Sequence, residues 1–222
     1  MCGAYTVAKH MKEMGGFKRL AGWSEVRLPV YNARPSELLP VVLDREPGRV
    51  LAVKWGLKPD WVTAKSRLLI NARAETVNHK PAFRDAFRNR RCLIIADGFY
   101  EWQASPSGKL PFRITLLDGQ PFAFAGVWQE VDGEPAYTII TTRPNAVVRP
   151  IHDRMPVILS PAEHEMWLDP GMSIEAGLKL LGPHPSAEMS AYRVSKAVNR
   201  PVTLGPELIE PLKVIEAPTL FD

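Results

Sequence analysis

The stretch Cys92-Leu93-Ile94-Ile95-Ala96-Asp97-Gly98 decides the fold class. Five consecutive apolar residues are closed off by Asp-Gly, a turn dipeptide, and the run is too short for a buried helix. It has the character of a strand covered on both faces. Outward from it, strand-like runs recur at Cys2–Ala8, Val50–Trp55, Leu68–Ala74, Phe112–Leu117, Phe122–Val127, Tyr137–Thr142 and Val157–Leu159. Helix signals are few. Met11, Met14 and Phe17 are spaced three apart, and Pro81 stands ahead of Phe83 and Phe87, with Arg84, Arg88, Arg90 and Arg91 on the opposite face. Ser160-Pro161-Ala162-Glu163 reads as an N-cap followed by a proline in the first turn. The segment Val30–Pro40 reads as a loop around Asn32 and Pro35. Many short strands, punctuated by 21 prolines in 222 residues, predict an α+β fold. Its sheet is mainly antiparallel and barrel-like, with a few short flanking helices. One domain is expected over residues 1–222, with its core at about 2–200 and an extended proline-rich tail at 201–222.

Composition removes whole classes. Charged residues at 23% and apolar residues at 45% are globular proportions, which excludes disorder and collagen-like chains. The balance of 28 basic and 24 acidic residues leaves +4, compatible with a nucleic-acid partner but far from a purely electrostatic binder. Two cysteines, Cys2 and Cys92, cannot staple the chain, and no four-ligand Cys/His spacing exists, so no metal and no cofactor are expected. No apolar run approaches the roughly 18 residues of a membrane span, and the first residues lack a signal peptide's apolar core. A cytoplasmic protein without a membrane partner is expected.

Chemistry is concentrated at Met1-Cys2-Gly3. If Met1 is removed, Cys2 carries an α-amine and a thiol on adjacent carbons, with ordinary pKa values of about 8 and about 8.5. That pair suits an aldehyde: the amine forms an imine and the neighbouring thiol closes a five-membered thiazolidine at high effective molarity. The same residue could instead attack an amide with its own amine as base. A cysteine at position two is weak evidence alone, but polar residues inside apolar strands add to it. Asn71, Arg73 and Glu75 follow an apolar run at period two and so share one face; a solvated edge would look the same. Glu101 lies between Tyr100 and Trp102, where burial would raise its pKa and make it a proton donor. His152 and Arg154 lie two apart between Pro150 and Pro156, and His152 has the most plausible catalytic setting of the five histidines. Trp55, Trp61 and Trp102 are candidate stacking platforms for unpaired bases, with core packing as the competing role for at least one of them. Cys92, within an apolar strand, reads as buried and inert.

Seven ordered blocks together resemble the SRAP family, the SOS response-associated peptidases that process abasic sites. They are MCG at 1–3, YNARP at 31–35, WGLKPDW at 55–61, INARAET at 70–76, KPAFR at 80–84, RRCLIIADGFYEW at 90–102 and IHDRMPVIL at 151–159. The resemblance implies a mainly β single domain that binds single-stranded DNA containing abasic sites and crosslinks to the lesion. It implies Cys2 as the thiazolidine-forming residue and Asn71 as the group positioning its amine. Glu101 would assist sugar-ring opening, and His152 would assist imine formation, strand cleavage or crosslink reversal. Arg73 and Arg154 would hold flanking phosphates, Asn32 would line the site, and Pro35 and Trp102 would lie near a single-strand/duplex junction. Autocatalytic removal of Met1, a monomer, nucleoid association when DNA is bound and an unidentified replication-machinery partner complete the expectation.

Two positions depart from the family pattern: Ala4 stands where an arginine is usual, and Arg34 occupies a normally small position, where it would compensate. Two other classes compete. An N-terminal-nucleophile glutamine amidohydrolase also begins MCG, though no further glutamine-site block is present. A noncatalytic single-strand binder would use tryptophans and arginines alone and would be indifferent to the lesion.

Overall fold

Among the described residues the strands are β1 (Tyr5–Val7), β2 (Val30–Ala33), β3 (Leu38–Leu43), β4 (Leu51–Trp55), β5 (Asn71–Arg73), β6 (Arg91–Ala96) and β7 (Gly98–Gln103). They continue with β8 (Leu110–Leu116), β9 (Phe122–Val131), β10 (Glu134–Thr142), β11 (Met155–Pro156), β12 (Ile158–Leu159) and β13 (Met189–Arg193). Three short helices join them: α1 (Arg84–Asn89), α2 (His164–Leu168) and α3 (Ile174–Lys179). The computed structural model describes residues 2–10, 13–58, 68–200 and 203–212.

Pairing of β3, β4, β10, β9 and β6, each with the next and β6 back to β3, closes a five-stranded barrel. All pairs are antiparallel except β4 with β10. β6 is buried along its whole length, as its unbroken apolar run required. A second, five-stranded antiparallel sheet has the order β13-β8-β7-β1-β2. One residue, Asp97, separates the end of β6 in the barrel from the start of β7 in the sheet. Between the two lie aromatic contacts that fix their spacing. Tyr5 meets Trp55 edge-on at 5.2 Å and Phe124 at 5.7 Å, and its hydroxyl lies 2.7 Å from that of Tyr137.

The α+β, mainly antiparallel class holds, while several local expectations change. The segment Val30–Pro40 is not a loop: it contains β2 and the start of β3, joined by a turn in which Ser36 has φ 76°. Pro40 is tolerated because β6 pairs with β3 only over Val41–Leu43, leaving one neighbour, β4, at the proline. Leu68–Ala74 contributes only three strand residues, Asn71–Arg73, which pair with the second half of β10. Arg91 does not lie on an exposed basic face. It is buried, and its guanidinium donates to the carbonyls of Phe87, Arg88, Trp167 and Asp169 at 2.6–2.9 Å. One cation thus satisfies the last turns of both α1 and α2, where helices leave carbonyls unpaired. The expected helix start at Ser160 is a capping box, with Glu163 accepting from the Ser160 amide at 2.7 Å. Cys92 is buried, as expected of a strand filler.

A second small cluster, Ala4, Tyr100, Val194, Val198 and Leu208, packs the C-terminal segment against the outer face of the five-stranded sheet. Ala4 is fully buried there, so the missing arginine leaves a packing position rather than a gap in an exposed surface. Among the described residues no helix is long and apolar enough to cross a membrane.

Candidate active site

Position of Cys2 follows from how β1 is anchored. β1 runs between β2 and β7 at the interior of its sheet. Its far end is tied down by the buried carboxylate of Asp97. Asp97 Oδ2 accepts from the amides of Ala8 at 2.6 Å and Lys9 at 2.8 Å. Its Oδ1 accepts from the Thr6 hydroxyl at 2.5 Å and from Arg113 Nη2 at 3.0 Å. Arg113 is itself buried and donates to the Tyr192 hydroxyl at 2.7 Å. Buried charges are tolerable only when paired and fully hydrogen-bonded, and this pair is. Gly98 permits it: a Cβ there would lie 2.7–2.9 Å from the guanidinium.

At the near end of β1, Asn71 Nδ2 donates to the Cys2 carbonyl at 2.8 Å. Asn71 reaches this place because β5 extends the sheet where β4 stops: Trp55 pairs with Tyr137, and Asn71 with Ile139 two residues on. Asn71 Oδ1 is buried without a hydrogen-bond partner among the described residues, an acceptor facing the cysteine's surroundings. Cys2 is fully buried, its Sγ 3.7 Å from the Ala4 carbonyl. Burial, reinforced by the Glu101 charge, pushes the thiol well above its ordinary range. The thiol is thus held toward its neutral form while Met1 precedes it.

Glu101 is carried inward by the alternation of β7. Tyr100 points to the second cluster, its hydroxyl donating to the Tyr31 carbonyl at 2.9 Å, and Glu101 points to the opposite face. The Glu101 side chain is 2% exposed, and burial raises its carboxyl from the ordinary 4.5 to about 7. His152 Nε2 lies 3.8 Å from Glu101 Oε2. Gln103 at the end of β7 donates to the Pro150 carbonyl at 2.9 Å, which clamps the His152 loop over that strand. His152 Nδ1 accepts from the Arg154 amide at 3.0 Å, so in the neutral ring the proton belongs on Nε2, toward Glu101. The Asp153 carboxylate, 2.9 Å from Nδ1, favours the charged ring, but burial outweighs it and lowers the histidine's pKa.

The flanking arginines differ. Arg73 is exposed at the end of β5. Arg154 forms a two-pronged pair with Glu75 at 2.7 and 2.9 Å and donates to the Thr141 carbonyl at 2.5 Å. Period-two spacing had put Glu75 beside Asn71 and Arg73, and its partnership with Arg154 becomes visible only in three dimensions. Asn32 is buried; its Nδ2 and the Arg34 guanidinium both donate to the Val198 carbonyl. The turn at Lys196–Asn199 thus holds Asn32 in the interior, with Arg34 half-buried beside it. Pro35 and Trp102 are half-buried, and the Trp102 indole donates to Asn199 Oδ1 at 2.7 Å. Trp55 is withdrawn as a stacking platform: it is fully buried, its indole donates to the Ile70 carbonyl at 3.0 Å, and it stacks on Tyr137. Trp61 lies outside the described residues. Asp97 and Arg113, which hold the strand bearing Cys2, were missed by sequence reasoning; an aspartate before a glycine looks like any turn.

A buried carboxyl raised to about 7, a histidine 3.8 Å from it and a buried cysteine three residues ahead of an anchored strand form a candidate acid–base constellation. Comparison with known proteins gives a concordant result. The family model described as SOS response associated peptidase (SRAP) matches residues 1–201. The abasic site processing protein YoqW of Bacillus subtilis (strain 168) is 44% identical over 192 residues, covering 82% of this chain and 86% of YoqW. The abasic site processing protein YedK of Escherichia coli (strain K12) is 31% identical over 189 residues, 82% of this chain and 84% of YedK. A crystal structure of a protein from Bacteroides thetaiotaomicron superposes with a TM-score of 0.84 at 25% identity, over 96% of this chain and 100% of that one.

Proposed function

The chain belongs to the SOS response associated peptidase family, and from that premise we propose that it processes abasic sites in DNA by covalent capture at Cys2. The substrate is single-stranded DNA with an abasic deoxyribose in its ring-closed form. Removal of Met1 frees the Cys2 amine. Glu101, protonated below about pH 7, gives a proton to the sugar ring oxygen as the C1–O bond breaks, and the C1 hydroxyl proton returns to the Glu101–His152 pair, which leaves the open-chain aldehyde. The amine adds to the aldehyde carbon, and the carbinolamine loses one water as its hydroxyl takes a proton from the Glu101–His152 pair and its nitrogen returns one to the pair, leaving the imine. Sγ then adds across the C=N bond while the thiol proton passes to nitrogen, which closes the thiazolidine. The free Oδ1 of Asn71 accepts from the amine and aims it. Arg73 and Arg154 bind the flanking phosphates, and Trp102 meets the bases.

The observation that carries this reading is the buried Glu101 carboxyl, raised to about 7, with His152 Nε2 3.8 Å away and its charge acting on Cys2. The test is intact-mass analysis of the Met1-processed protein before and after exposure to abasic single-stranded DNA. One covalent adduct, of the summed masses less one water, is expected. A Cys2→Ala variant that forms the adduct equally well would refute the thiazolidine. Glu101→Gln is expected to slow adduct formation about 100-fold with DNA affinity within about twofold, the size of effect a positioned proton donor gives. Parallel loss of both would assign Glu101 a structural role.

A further inference from the structure

Away from Cys2, Asn71, Glu101 and His152, none of which lines it, the surface holds a groove of about 1090 Å³. Its apolar wall comes from every layer of the fold: Phe17, Val42 of β3, Leu93 of β6, Leu116 of β8, Leu159 of β12 and Leu168 of α2. Its charged residues are of one sign. Asp44, Asp118, Glu165, Asp169 and Glu188 line it, and among the described residues no lysine or arginine does, although the whole chain carries +4. Asp44 is held as an oriented anion, accepting from the Arg91 amide at 2.7 Å and the Trp128 indole at 2.9 Å. The other four are exposed. Two histidines complete the ionisable set. His164 stacks on Phe17, with burial lowering its pKa, and His184 Nε2 lies 3.0 Å from the Glu188 carboxylate.

A concave groove lined by apolar side chains is a recognition feature, and an anionic rim selects the sign of what enters. Nucleic acid is rejected by that rim. Residues 213–222 of this chain have the wrong sign too, Lys213 standing against Glu216 and Asp222. The volume is at the top of the usual range for small-molecule sites, about 300–1,000 Å³, and suits several side chains in a row. We infer that this groove docks a short segment of a partner protein whose leucine or phenylalanine anchors are flanked by lysine or arginine. Partner and DNA then occupy separate faces, so both can bind at once.

Fluorescence anisotropy of the full chain with a fluorescein-labelled peptide KKLFKLKK tests this, with EELFELEE as the charge-reversed comparator. Saturable binding of the first at about 10–100 µM is expected, with at least tenfold weaker binding of the second. Asp118→Lys combined with Glu165→Lys, both at exposed positions, should weaken KKLFKLKK about tenfold with the thermal midpoint and abasic-DNA crosslinking unchanged. Glu165→Lys alone should give an intermediate loss. Equal binding of the two peptides, an affinity unmoved by the substitutions, or no binding of KKLFKLKK below about 1 mM would overturn the proposal. Preference for EELFELEE would do so too, and would point to acidic segments such as 213–222.

Discussion

At the residue scale, Glu101 sets opposing demands on stability and chemistry. Its folded-state pKa, about 7, lies above the ordinary 4.5, so the folded protein binds the extra proton between these values. Stability therefore falls as pH rises from 4.5 to 7 and is level above, where the buried carboxylate is ionised in both states. Glu101→Gln removes that penalty. The variant is expected to match the parent near pH 4 and to exceed it by about 1–3 kcal/mol at pH 8, measured by urea unfolding at both pH values. A gain of stability alongside lost activity is the signature of a group kept for function. Glu75 works the other way. Its hydrogen bonds to Arg154 hold its carboxyl below the ordinary range, and the same bonds occupy the guanidinium that a phosphate would need. Glu75→Gln should tighten DNA binding about three- to tenfold and steepen its salt dependence by about one phosphate contact, read from log Kd against log salt. An unchanged slope would mean that Arg154 meets no phosphate.

At the element scale, β1 and β7 must hold register to within one residue, and Asp97 with Gly98 sets it. Gly98→Ala pushes a Cβ to 2.7 Å from Arg113, whose guanidinium is fixed by Thr6, Asp97 and Tyr192 and has nowhere to go. A loss of about 1–3 kcal/mol is expected in denaturant unfolding, with Cys2 reactivity falling as β1 loosens. One residue inserted between Ala96 and Gly98 would turn β7 over, so that Glu101 and Tyr100 exchange faces. Crosslinking should then vanish. Expectations from sequence succeeded where one strand dictates its own environment: β6, β8, β9 and β10 are apolar runs that only burial explains. They failed where a partner supplies the missing term. β2 contains Asn32, a turn-former that is satisfied only by the Val198 carbonyl 166 residues away. β13 carries polar Ser190 and Arg193 because it is an edge strand beside β8. For the candidate site, Asn71 and Glu101 stand out in the sequence as polar breaks near apolar runs, Cys2 by its position after Met1 and His152 by its flanking prolines. Trp55 misled because a tryptophan beside a glycine reads alike in a core and on a platform.

At the scale of the whole molecule, barrel and sheet share one core, so stability tests the fold as a unit. Trp55→Ala removes a fully buried ring in contact with Tyr5 and Tyr137 from that shared core. A destabilisation of about 3–5 kcal/mol is expected by calorimetry. Arg73 and Arg154 take no part in the carboxylate-edged groove. Placement of Cys2 at the head of an interior strand has a consequence for the lifetime of a captured lesion. The peptide bonds that join Cys2 to the rest of the chain run into β1, buried along its length and flanked by neighbours on both sides. Cleavage within β1 requires that strand to leave its neighbours, a costlier opening than that of an exposed loop. Under the proposed function, the folded protein would sheathe the crosslinked nucleotide and be shed at a pace set by the opening of that strand.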